Sequence, residues 1–542
     1  MKNIKYNLAS DSWGDDEINA IHQVIKSNRY TMGPKVKEFE NQFAEYFNSK
    51  YALMVNSGST ANLLMVASLI LSKDHDLNRG DEVIVPSVSW STTYYPLSQY
   101  GLKLKFVDVD LHTLNIDTNQ LEKAISKKTR AIMAVNLLGN PCNFTEIKDL
   151  CSKYNLLLIE DNCESLGAKY NNDYTGTLGN MGSFSFFFSH HMQTMEGGMI
   201  LTNEQSLLQI ATSLRAHGWI RDLPPKNLIL DKSGNDFEDS FKFVLPGYGV
   251  RPLEMSGAIG IEQLKKVDSF INQRKTNAEL FKKLFLSEEN VIIQKEVHES
   301  SWFGFSMILT NKMLNQRNKF IQTLEENMIE SRPIVAGDFT KNPVINYLDH
   351  SIIGNLENSE MIDKSGFFVG NDHRDLSNEL DHFYELLEAN LEKSPREVCE
   401  KSLAELRGLS QNLKEWVLEK LYQLSLADDF LHVDEKGFLE DVNKYWGLRA
   451  SFGKGQLDWT NDQLRVVKAN LKERLIVTAQ PGAGKTAVAC AKISHLIDQG
   501  VSPTNIWLLS FTRTAVQELR DRISSFSEEA ENILSFNFYY CI

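Results

Sequence analysis

Short apolar runs alternate with amphipathic segments along most of the chain, from Asp15 to about Leu391. The runs are bounded by Gly, Pro and Asp, and the segments between them have helical periodicity. This alternation is typical of an α/β protein with a largely parallel sheet. Predicted strands are Tyr51–Val55, Glu82–Pro86, Leu104–Val109, Ala131–Val135, Leu156–Glu160 and Met199–Thr202. Because ligands of such sheets lie beyond the carboxyl ends of the strands, the residues after each strand are the candidates for a site.

The pattern changes after Asn390. Residues 394–429 are polar with apolar positions at helical spacing, and a second β-rich run, Leu475–Ala479, precedes another amphipathic helix. We therefore predict an α/β unit at 1–391, a helical connector at 392–455 and a separate unit at 456–542. Within the first unit, we expect a large domain to about residue 250 and a small domain at 251–391.

Composition narrows the possible classes of protein. A formal charge of −14 over 542 residues disfavours a nucleic-acid-binding surface. The six cysteines form no CxxC pair, so they are expected to be reduced thiols rather than disulfides or zinc ligands. Neither a signal peptide nor an apolar run of membrane-spanning length is evident. We expect a soluble cytoplasmic protein that does not bind membranes.

Small and polar residues follow the first strand. The turn at 56–60 opens a helix that is expected to run to about Leu71. A helix amino terminus presents free N–H groups and a positive dipole end, so Gly58, Ser59 and Thr60 are candidates for a phosphate cup. The same composition is also typical of an ordinary helix N-cap.

Aromatic and acidic side chains follow two further strands. Trp90, after the strand at 82–86, is expected either to stack on a flat cofactor or to fill a core position. Asp161 follows the strand at 156–160, where a carboxylate must be paired or hydrogen-bonded. It is expected either to cap a helix or to pair with a cationic ring nitrogen of a cofactor.

The most distinctive segment is Ser183–Met199, SFSFFFSHHMQTMEGGM. An aromatic-rich run leads into His190 and His191, and the Glu-Gly-Gly at 196–198 lets the backbone turn into the next strand. Ser185 adds a hydroxyl that is placed to reach a phosphate.

In order and spacing, these elements resemble the DegT/DnrJ/StrS family of sugar-modifying enzymes that depend on pyridoxal phosphate (PLP). The likeness includes GYGVRPLEMSGAIGIEQL at 247–264, ESRPIVAGDF at 330–339 and GFFVGNDHRDLSNELD at 366–381. It implies the type I PLP-dependent transferase fold, similar to aspartate aminotransferase, with a smaller carboxyl-terminal α+β subdomain, and a homodimer. The cofactor, pyridoxal or pyridoxamine 5'-phosphate, is then expected to be bound by Gly58, Ser59, Thr60, Trp90, Asp161, Glu164 and Ser185.

This family usually has a lysine where this sequence has His190. A lysine amine binds the cofactor covalently and an imidazole cannot, so cofactor retention is expected to rest on the other contacts. The substitution resembles a branch of nucleotide-sugar 3-dehydratases. Cys142, Cys151 and Cys163 do not have the spacing of an iron–sulfur cluster, which favours the GDP-linked members of that branch.

The resemblance implies that the C3 hydroxyl is removed from a nucleotide-linked 4-keto-6-deoxy hexose. The expected substrate is GDP-4-keto-6-deoxy-D-mannose, in the biosynthesis of a colitose-type dideoxysugar of O-antigen. His190 is expected to be catalytic, taking a proton from the cofactor methylene carbon and assisting departure of hydroxide. L-Glutamate is expected to regenerate pyridoxamine phosphate, and no metal is expected in this unit. A sugar aminotransferase, or an inactive enzyme with a structural histidine, is the alternative.

Two arginines and one glycine bear on ligand binding. Guanidinium groups fit carboxylates and phosphates bidentately, so Arg251 and Arg332 are candidates for binding substrate, while a salt bridge within the fold is the alternative for each. Where this chain has Gly249, the family usually has an asparagine that reaches the cofactor phosphate of the neighbouring subunit. Its absence is expected to weaken cofactor binding without affecting the dimer.

The last part of the chain contains QPGAGKT after its β-rich run, a Walker A loop with Ala479 in place of the first glycine. Together with upstream and downstream motifs, it resembles the start of superfamily 1 helicases of the UvrD/Rep type. No acidic Walker B strand follows, so we expect a truncated fragment that cannot unwind DNA, while an ATP- and nucleic-acid-binding motor with a sensor domain is the alternative. Candidate nucleotide-binding residues are Gln463, Gly482, Gly484, Lys485 and Thr486, with Thr486 as a ligand of Mg²⁺.

Overall fold

The computed structural model describes residues 5–391 continuously and, beyond them, isolated positions between 411 and 446 and two short strands. The chain divides into two compact units, Met1–Glu392 and Lys393–Ile542. Most of the predicted helical connector lies outside the described residues. So do all of the predicted nucleotide-binding residues, Gln463, Gly482, Gly484, Lys485 and Thr486.

The helices and strands are numbered in chain order. The helices are α1 Asp15–Ser27, α2 Pro34–Tyr46, α3 Gly58–Leu71, α4 Ser91–Gln99, α5 Thr118–Ala124, α6 Phe144–Tyr154, α7 Gln205–Arg215, α8 Asp236–Asp239, α9 Glu254–Leu264, α10 Val267–Phe285, α11 Arg317–Glu326, α12 Glu357–Ser365 and α13 Ser377–Asn390. The strands are β1 Tyr51–Val55, β2 Glu82–Pro86, β3 Lys103–Val107, β4 Thr129–Val135, β5 Leu157–Asp161, β6 Lys169–Tyr170, β7 Asp173–Tyr174, β8 Met181–Ser185, β9 Gly198–Thr202, β10 Val291–Ile293, β11 Gly304–Leu309, β12 Ser331–Arg332, β13 His350–Ile352, β14 Gly366–Gly370, β15 Trp507–Ser510 and β16 Leu534–Asn537.

The first unit is built on an eight-stranded sheet in the order β1-β9-β8-β5-β4-β2-β3-β13. All neighbours are parallel except β9, which runs antiparallel to both β1 and β8. The prediction of a largely parallel sheet is therefore confirmed, and the predicted strand bounds agree with the observed ones to within two residues.

Helices cover both faces of this sheet. Val83 and Val85 of β2 pack into one apolar cluster with residues of α3 and α7, whereas Ile84 packs into another with residues of α6. Burial on both faces explains why the central strands are continuous apolar runs rather than alternating ones. Within the described part of the chain, no helix has the length and apolarity needed to span a membrane.

A smaller sheet in the order β10-β11-β14-β12 follows in the sequence. Its core contains Phe281 of α10, Phe305 of β11 and Phe383 of α13. One strand of the predicted small domain lies elsewhere, because β13 returns to the large sheet and pairs in parallel with β3.

Candidate active site

The carboxyl ends of β1, β5 and β8 converge at one edge of the large sheet. Gly198 at the start of β9 pairs with Val55 of β1 and with Ser185 of β8. A Cβ atom at Gly198 would lie 2.3 Å from the Ser57 carbonyl oxygen, so this position must be glycine. The Glu-Gly-Gly turn therefore lies against the turn that opens α3.

The predicted phosphate cup has the geometry of a helix amino terminus. The Ser57 hydroxyl oxygen accepts a hydrogen bond from the Thr60 N–H at 3.2 Å, so Ser57 is the N-cap of α3. An added Cβ at Gly58 would lie 2.6 Å from Cβ of Ser185 and 2.9 Å from Sγ of Cys163. The structure thus brings Gly58 and Ser185 together, and it leaves the first N–H groups of α3 facing the same edge as Asp161.

Asp161, the last residue of β5, is only 6% exposed. One carboxylate oxygen accepts hydrogen bonds from Asn62 Nδ2 at 2.8 Å and from Thr93 Oγ1 at 2.7 Å. The other accepts from the Cys163 N–H at 3.2 Å and from the Ser183 hydroxyl at 3.4 Å. No helix begins directly after Asp161, since the next element is β6 at Lys169–Tyr170, so the capping alternative is wrong.

Every donor described for Asp161 is uncharged, which leaves its negative charge without a cation among residues 5–391. A buried carboxylate is normally paired with a positive charge. A protonated pyridine nitrogen would supply that charge, and the amino terminus of α3 with the Ser185 hydroxyl would suit a phosphate group. The chemistry of these side chains therefore fits PLP.

Trp90 is the residue before α4, and its side chain is 57% exposed. A core position for this residue is therefore excluded. The exposed indole, one residue from the start of a helix at the same edge of the sheet, is free to stack on a planar ligand.

His190 and His191 lie in the loop between β8 and β9. The His190 ring packs edge-on against the ring of Phe303, with 5.2 Å between centroids, and its Nδ1 lies 3.4 Å from the Ser189 hydroxyl. Burial, reinforced by the positive charge of Arg274, lowers the pKa of His190 to about 4. The imidazole is therefore neutral at pH 7, which is the form that accepts a proton.

His191 is buried more deeply than its neighbour. Its Nε2 donates to the Ser301 carbonyl oxygen at 3.0 Å, while its Nδ1 has no partner in the described structure. Burial and the charge of Arg274 hold its pKa well below the usual value for histidine.

Glu164 lies three residues after Asp161, and its Oε2 accepts a hydrogen bond from the Leu138 N–H at 3.0 Å. Leu138 has φ of 51°, so this N–H is presented by a left-handed residue. Burial and the nearby charge of Asp161 raise the pKa of Glu164 to about 7, although the Leu138 N–H opposes the shift. This carboxyl group is therefore poised to exchange a proton near neutral pH.

The described contacts do not connect the two candidate arginines with Asp161 or His190. Arg251 lies over the ring of Trp219 at 5.5 Å, and no ion pair is described for it. Arg332 lies 3.6 Å from Glu330, in agreement with the salt-bridge alternative. Gly249 pairs with Ala216 in an isolated bridge.

Four residues of the site region were not predicted: Asn62, Thr93, Arg274 and Phe303. The first two bind Asp161, and the last two surround the histidines. A signal was present for Arg274, because it lies among Phe270, Ile271, Ala278 and Phe281 at the spacing of a helix's buried face.

Comparison with known proteins supports the assignment of this site to a PLP-dependent enzyme. Residues 11–376 match the model of the DegT/DnrJ/EryC1/StrS aminotransferase family, and residues 459–539 match that of the UvrD/REP helicase N-terminal domain. The chain is 54% identical over 386 residues to GDP-4-keto-6-deoxy-D-mannose 3-dehydratase of Yersinia pseudotuberculosis, covering 71% of this chain and 98% of that protein.

Two solved structures of GDP-4-keto-6-deoxymannose 3-dehydratase are also similar. One is a histidine-to-asparagine variant with bound GDP-perosamine, and the other contains a trapped PLP–glutamate geminal diamine. Each is 53% identical, with a TM-score of 0.70, over 71% of this chain and 100% of the solved chain. The predicted fold, that of the PLP-dependent aminotransferases, is confirmed, and the chain belongs to the DegT/DnrJ/EryC1/StrS aminotransferase family.

Proposed function

We propose that this protein is a PLP-dependent nucleotide-sugar 3-dehydratase, a lyase of the colitose type that removes the C3 hydroxyl of GDP-4-keto-6-deoxy-D-mannose. L-Glutamate supplies the amine that regenerates pyridoxamine phosphate. The free thiols of Cys142, Cys151 and Cys163 support a reducing, cytoplasmic location.

The observation that carries the proposal is a neutral imidazole at the lysine position. His190 follows β8, which pairs directly with β5 through Ser183 and Asp161. A histidine cannot form the covalent link that a transaminating lysine forms, but it can take up and return a proton. The same scaffold is thereby suited to deoxygenation rather than amination.

The roles of the side chains follow from their positions. When bound, PLP supplies an electron sink that stabilises negative charge next to the reacting sugar carbon. Asp161 would hold the ring nitrogen protonated, and Trp90 would stack on the ring. Gly58, Ser59, Thr60 and Ser185 would hold the phosphate, and Glu164, whose pKa is raised to about 7, would help to hold the cofactor. His190 takes a proton at its imidazole and returns it to the departing hydroxide.

The test is to incubate the protein with PLP, L-glutamate and GDP-4-keto-6-deoxy-D-mannose, and to measure ammonia and product mass. The expected product is lighter than the substrate by one oxygen atom, has gained no nitrogen and forms in equal amount to ammonia and 2-oxoglutarate. A stable 4-amino sugar would instead establish the aminotransferase alternative. No reaction of the sugar or of glutamate would establish the inactive one.

Two histidine variants sharpen this test. His190→Asn should abolish deoxygenation while leaving cofactor binding measurable by absorbance, because Asp161 and the phosphate cup are unchanged. His22→Asn, a change at an exposed residue of α1, is the matched control and should retain full activity. Deoxygenation by His190→Asn at the native rate would contradict the role of His190.

The proposed assembly is a homodimer. Phe187 and Phe188 in the histidine loop are exposed, and so are Phe237, Phe241 and Phe243. Large apolar side chains at this density typically mark a protein interface. Sedimentation equilibrium should give twice the chain mass, and Phe237→Glu with Phe241→Glu should give a monomer with reduced activity. A fully active monomer would refute the dimer.

For residues 456–542 we propose a helicase-like segment that binds ATP through its Walker A loop and has no motor activity. The match of residues 459–539 to the UvrD/REP helicase N-terminal domain favours it. ATP binding that is lost in Lys485→Ala, without DNA-stimulated hydrolysis, is expected. DNA-stimulated hydrolysis that depends on Lys485 would refute the absence of motor activity.

A further inference from the structure

A buried cation lies behind the histidine loop. Arg274 of α10 is 3% exposed, and no carboxylate forms a salt bridge with it in the described residues. Its Nη1 donates instead to three backbone carbonyls, those of Phe303 at 3.0 Å, Trp302 at 3.4 Å and Asn371. Its Nε has no partner in the described structure. Burying a guanidinium against carbonyl dipoles alone is costly, so the residue needs a reason beyond packing.

Two of these carbonyls, those of Trp302 and Phe303, belong to a short strap, Ser301–Phe303, that leads into β11. Trp302 has φ of 48°, an uncommon conformation for an aromatic residue. The strap is hydrogen-bonded along one side to the turn at 138–139, through Ser301 N–H at 2.8 Å and Phe303 N–H at 3.0 Å. On its other side, Asn371 Nδ2 donates to the Trp302 carbonyl at 2.8 Å. Arg274 and Asn371 together hold a strained backbone in one conformation.

Both His190 and His191 pack against this strap. The Ser301 carbonyl accepts from His191, and the Phe303 ring contacts His190 and His191, with centroid separations of 5.2 Å and 5.8 Å. No other described ring contact of His190 comes from outside its own loop. A shift of the strap would therefore move the imidazole of His190.

We propose that Arg274 is a positioning residue for His190: through the strap Ser301–Phe303 it fixes the imidazole that moves the proton, and it keeps a positive charge beside it. The inference rests on the proposed function of His190. Arg274 contacts neither the sugar nor the cofactor in this scheme. It acts through the Phe303 ring and through its charge.

The charge of Arg274 has a defined effect because few ionisable groups surround His190 and His191. Arg274 is the charged group with a described electrostatic influence on both histidines, and His190 also acts on His191. On the far side of Arg274, Asp372 opposes the lowering of the Arg274 pKa and is itself paired with Arg374 at 2.7 Å, while His373 is influenced by all three of these residues. Removing the Arg274 charge should thus raise the pKa of His190 without protonating it at pH 7.

The experiment compares Arg274→Met, Arg274→Lys and Lys275→Met in the full-length holoenzyme. Lys275 is the next residue of α10 and pairs with Glu299, so its variant removes a neighbouring cation outside the strap. Stopped-flow absorbance follows the half-reaction with L-glutamate as a function of pH. In ¹⁵N-histidine-labelled protein, NMR follows the titration of His190, identified by its loss in His190→Asn.

For Arg274→Met we expect kcat to fall about 10- to 100-fold with KM for glutamate within about twofold, and the His190 pKa to rise. Arg274→Lys should restore the pKa but only part of kcat, because an ammonium keeps the charge and loses the planar fork. Lys275→Met should match the wild type in both. A folded Arg274→Met with unchanged kcat and unchanged His190 titration would overturn the inference.

If Arg274→Met does not fold, a second variant tests the same positioning role. Phe303→Leu leaves Arg274 in place and removes the ring that contacts His190, so kcat should fall at least tenfold with cofactor affinity unchanged. Native kcat in Phe303→Leu would overturn the positioning role. If the wild type reacts with L-glutamate but does not deoxygenate the sugar, and Arg274→Met still slows the glutamate half-reaction and shifts the His190 titration, the proposed function fails while the positioning role stands.

Discussion

Replacing Asp161 with asparagine removes one negative charge from the sheet edge while keeping the shape of the side chain. An amide oxygen in the place of Oδ2 can still accept from Asn62 and Thr93. The amide NH₂ then takes the place of Oδ1, which accepts from the Cys163 N–H at 3.2 Å in the native protein. The amide NH₂ and the Cys163 N–H would then face each other, although both are donors. The protonated nitrogen of the cofactor ring is also a donor, and it would meet an NH₂ group instead of an acceptor.

The magnitude follows from the lost charge-assisted hydrogen bond. Such a bond contributes about 1.5–3 kcal/mol, and each 1.4 kcal/mol is about tenfold in affinity. Cofactor binding should therefore weaken by about 10- to 100-fold. The free energy of unfolding of the cofactor-free protein should change by less than about 1 kcal/mol, because a buried carboxylate without a cation is replaced by a neutral group.

The assay is a fluorescence titration of cofactor-depleted protein with PLP, together with urea unfolding of the same preparation. Asp149→Asn, at an exposed position of α6, controls for the loss of one charge from the chain and should bind PLP as the wild type does. If a stably folded Asp161→Asn bound PLP within threefold of the wild type, the pairing of Asp161 with the cofactor ring would be refuted.

Three further predictions concern stability. Gly58→Ala should destabilise the protein by about 1–3 kcal/mol in urea unfolding, because the new Cβ would lie 2.6 Å from Cβ of Ser185; an unchanged midpoint would contradict this close approach. Arg215→Met should destabilise the protein by about 3 kcal/mol, because buried Glu40 loses the buried cation 2.6 Å away and keeps only the exposed Lys37, at 3.3 Å; adding Glu40→Gln should recover part of the loss. The pKa of His190 is about 4 in the folded protein and about 6.5 in the unfolded chain. Between these two pH values the unfolded chain binds a proton at this residue that the folded protein does not. The free energy of unfolding should therefore fall as the pH drops from about 6.5 to about 4. Thermal unfolding should show a smaller decline for His190→Asn than for the wild type. Parallel stability-against-pH curves for the wild type and His190→Asn would count against a lowered pKa of His190.

The predicted site residues that the structure brings to one edge of the large sheet share one physical origin. Parallel strands end at a common edge, so Gly58, Asp161 and Ser185 could be brought together from strand periodicity alone. Trp90 is exposed at that edge for the same reason. In each case the informative signal lies within a few residues of a strand.

The supporting residues could not be predicted in this way. Arg274 is 84 residues beyond His190 in the sequence and acts through a strap whose conformation depends on Trp302 and on the turn at Leu138. Left-handed backbone at a tryptophan or a leucine has no sequence signature, unlike the same conformation at glycine. Nor does local periodicity reveal that β13 pairs with β3, since that contact is fixed only when the large sheet is complete.

The pairing of β13 with the large sheet also limits where the chain can be divided, or joined to another sequence, without loss of strand pairing. A cut near residue 250 would separate β3 from the strand at its edge and leave backbone N–H and C=O groups without partners. A join after α13 interrupts none of the strand pairings described for the first unit, because β14, its last strand, comes earlier in the chain. A join at that point would therefore preserve every strand pairing of the large sheet, so the fold of the first unit is compatible with the long carboxyl-terminal extension of this chain.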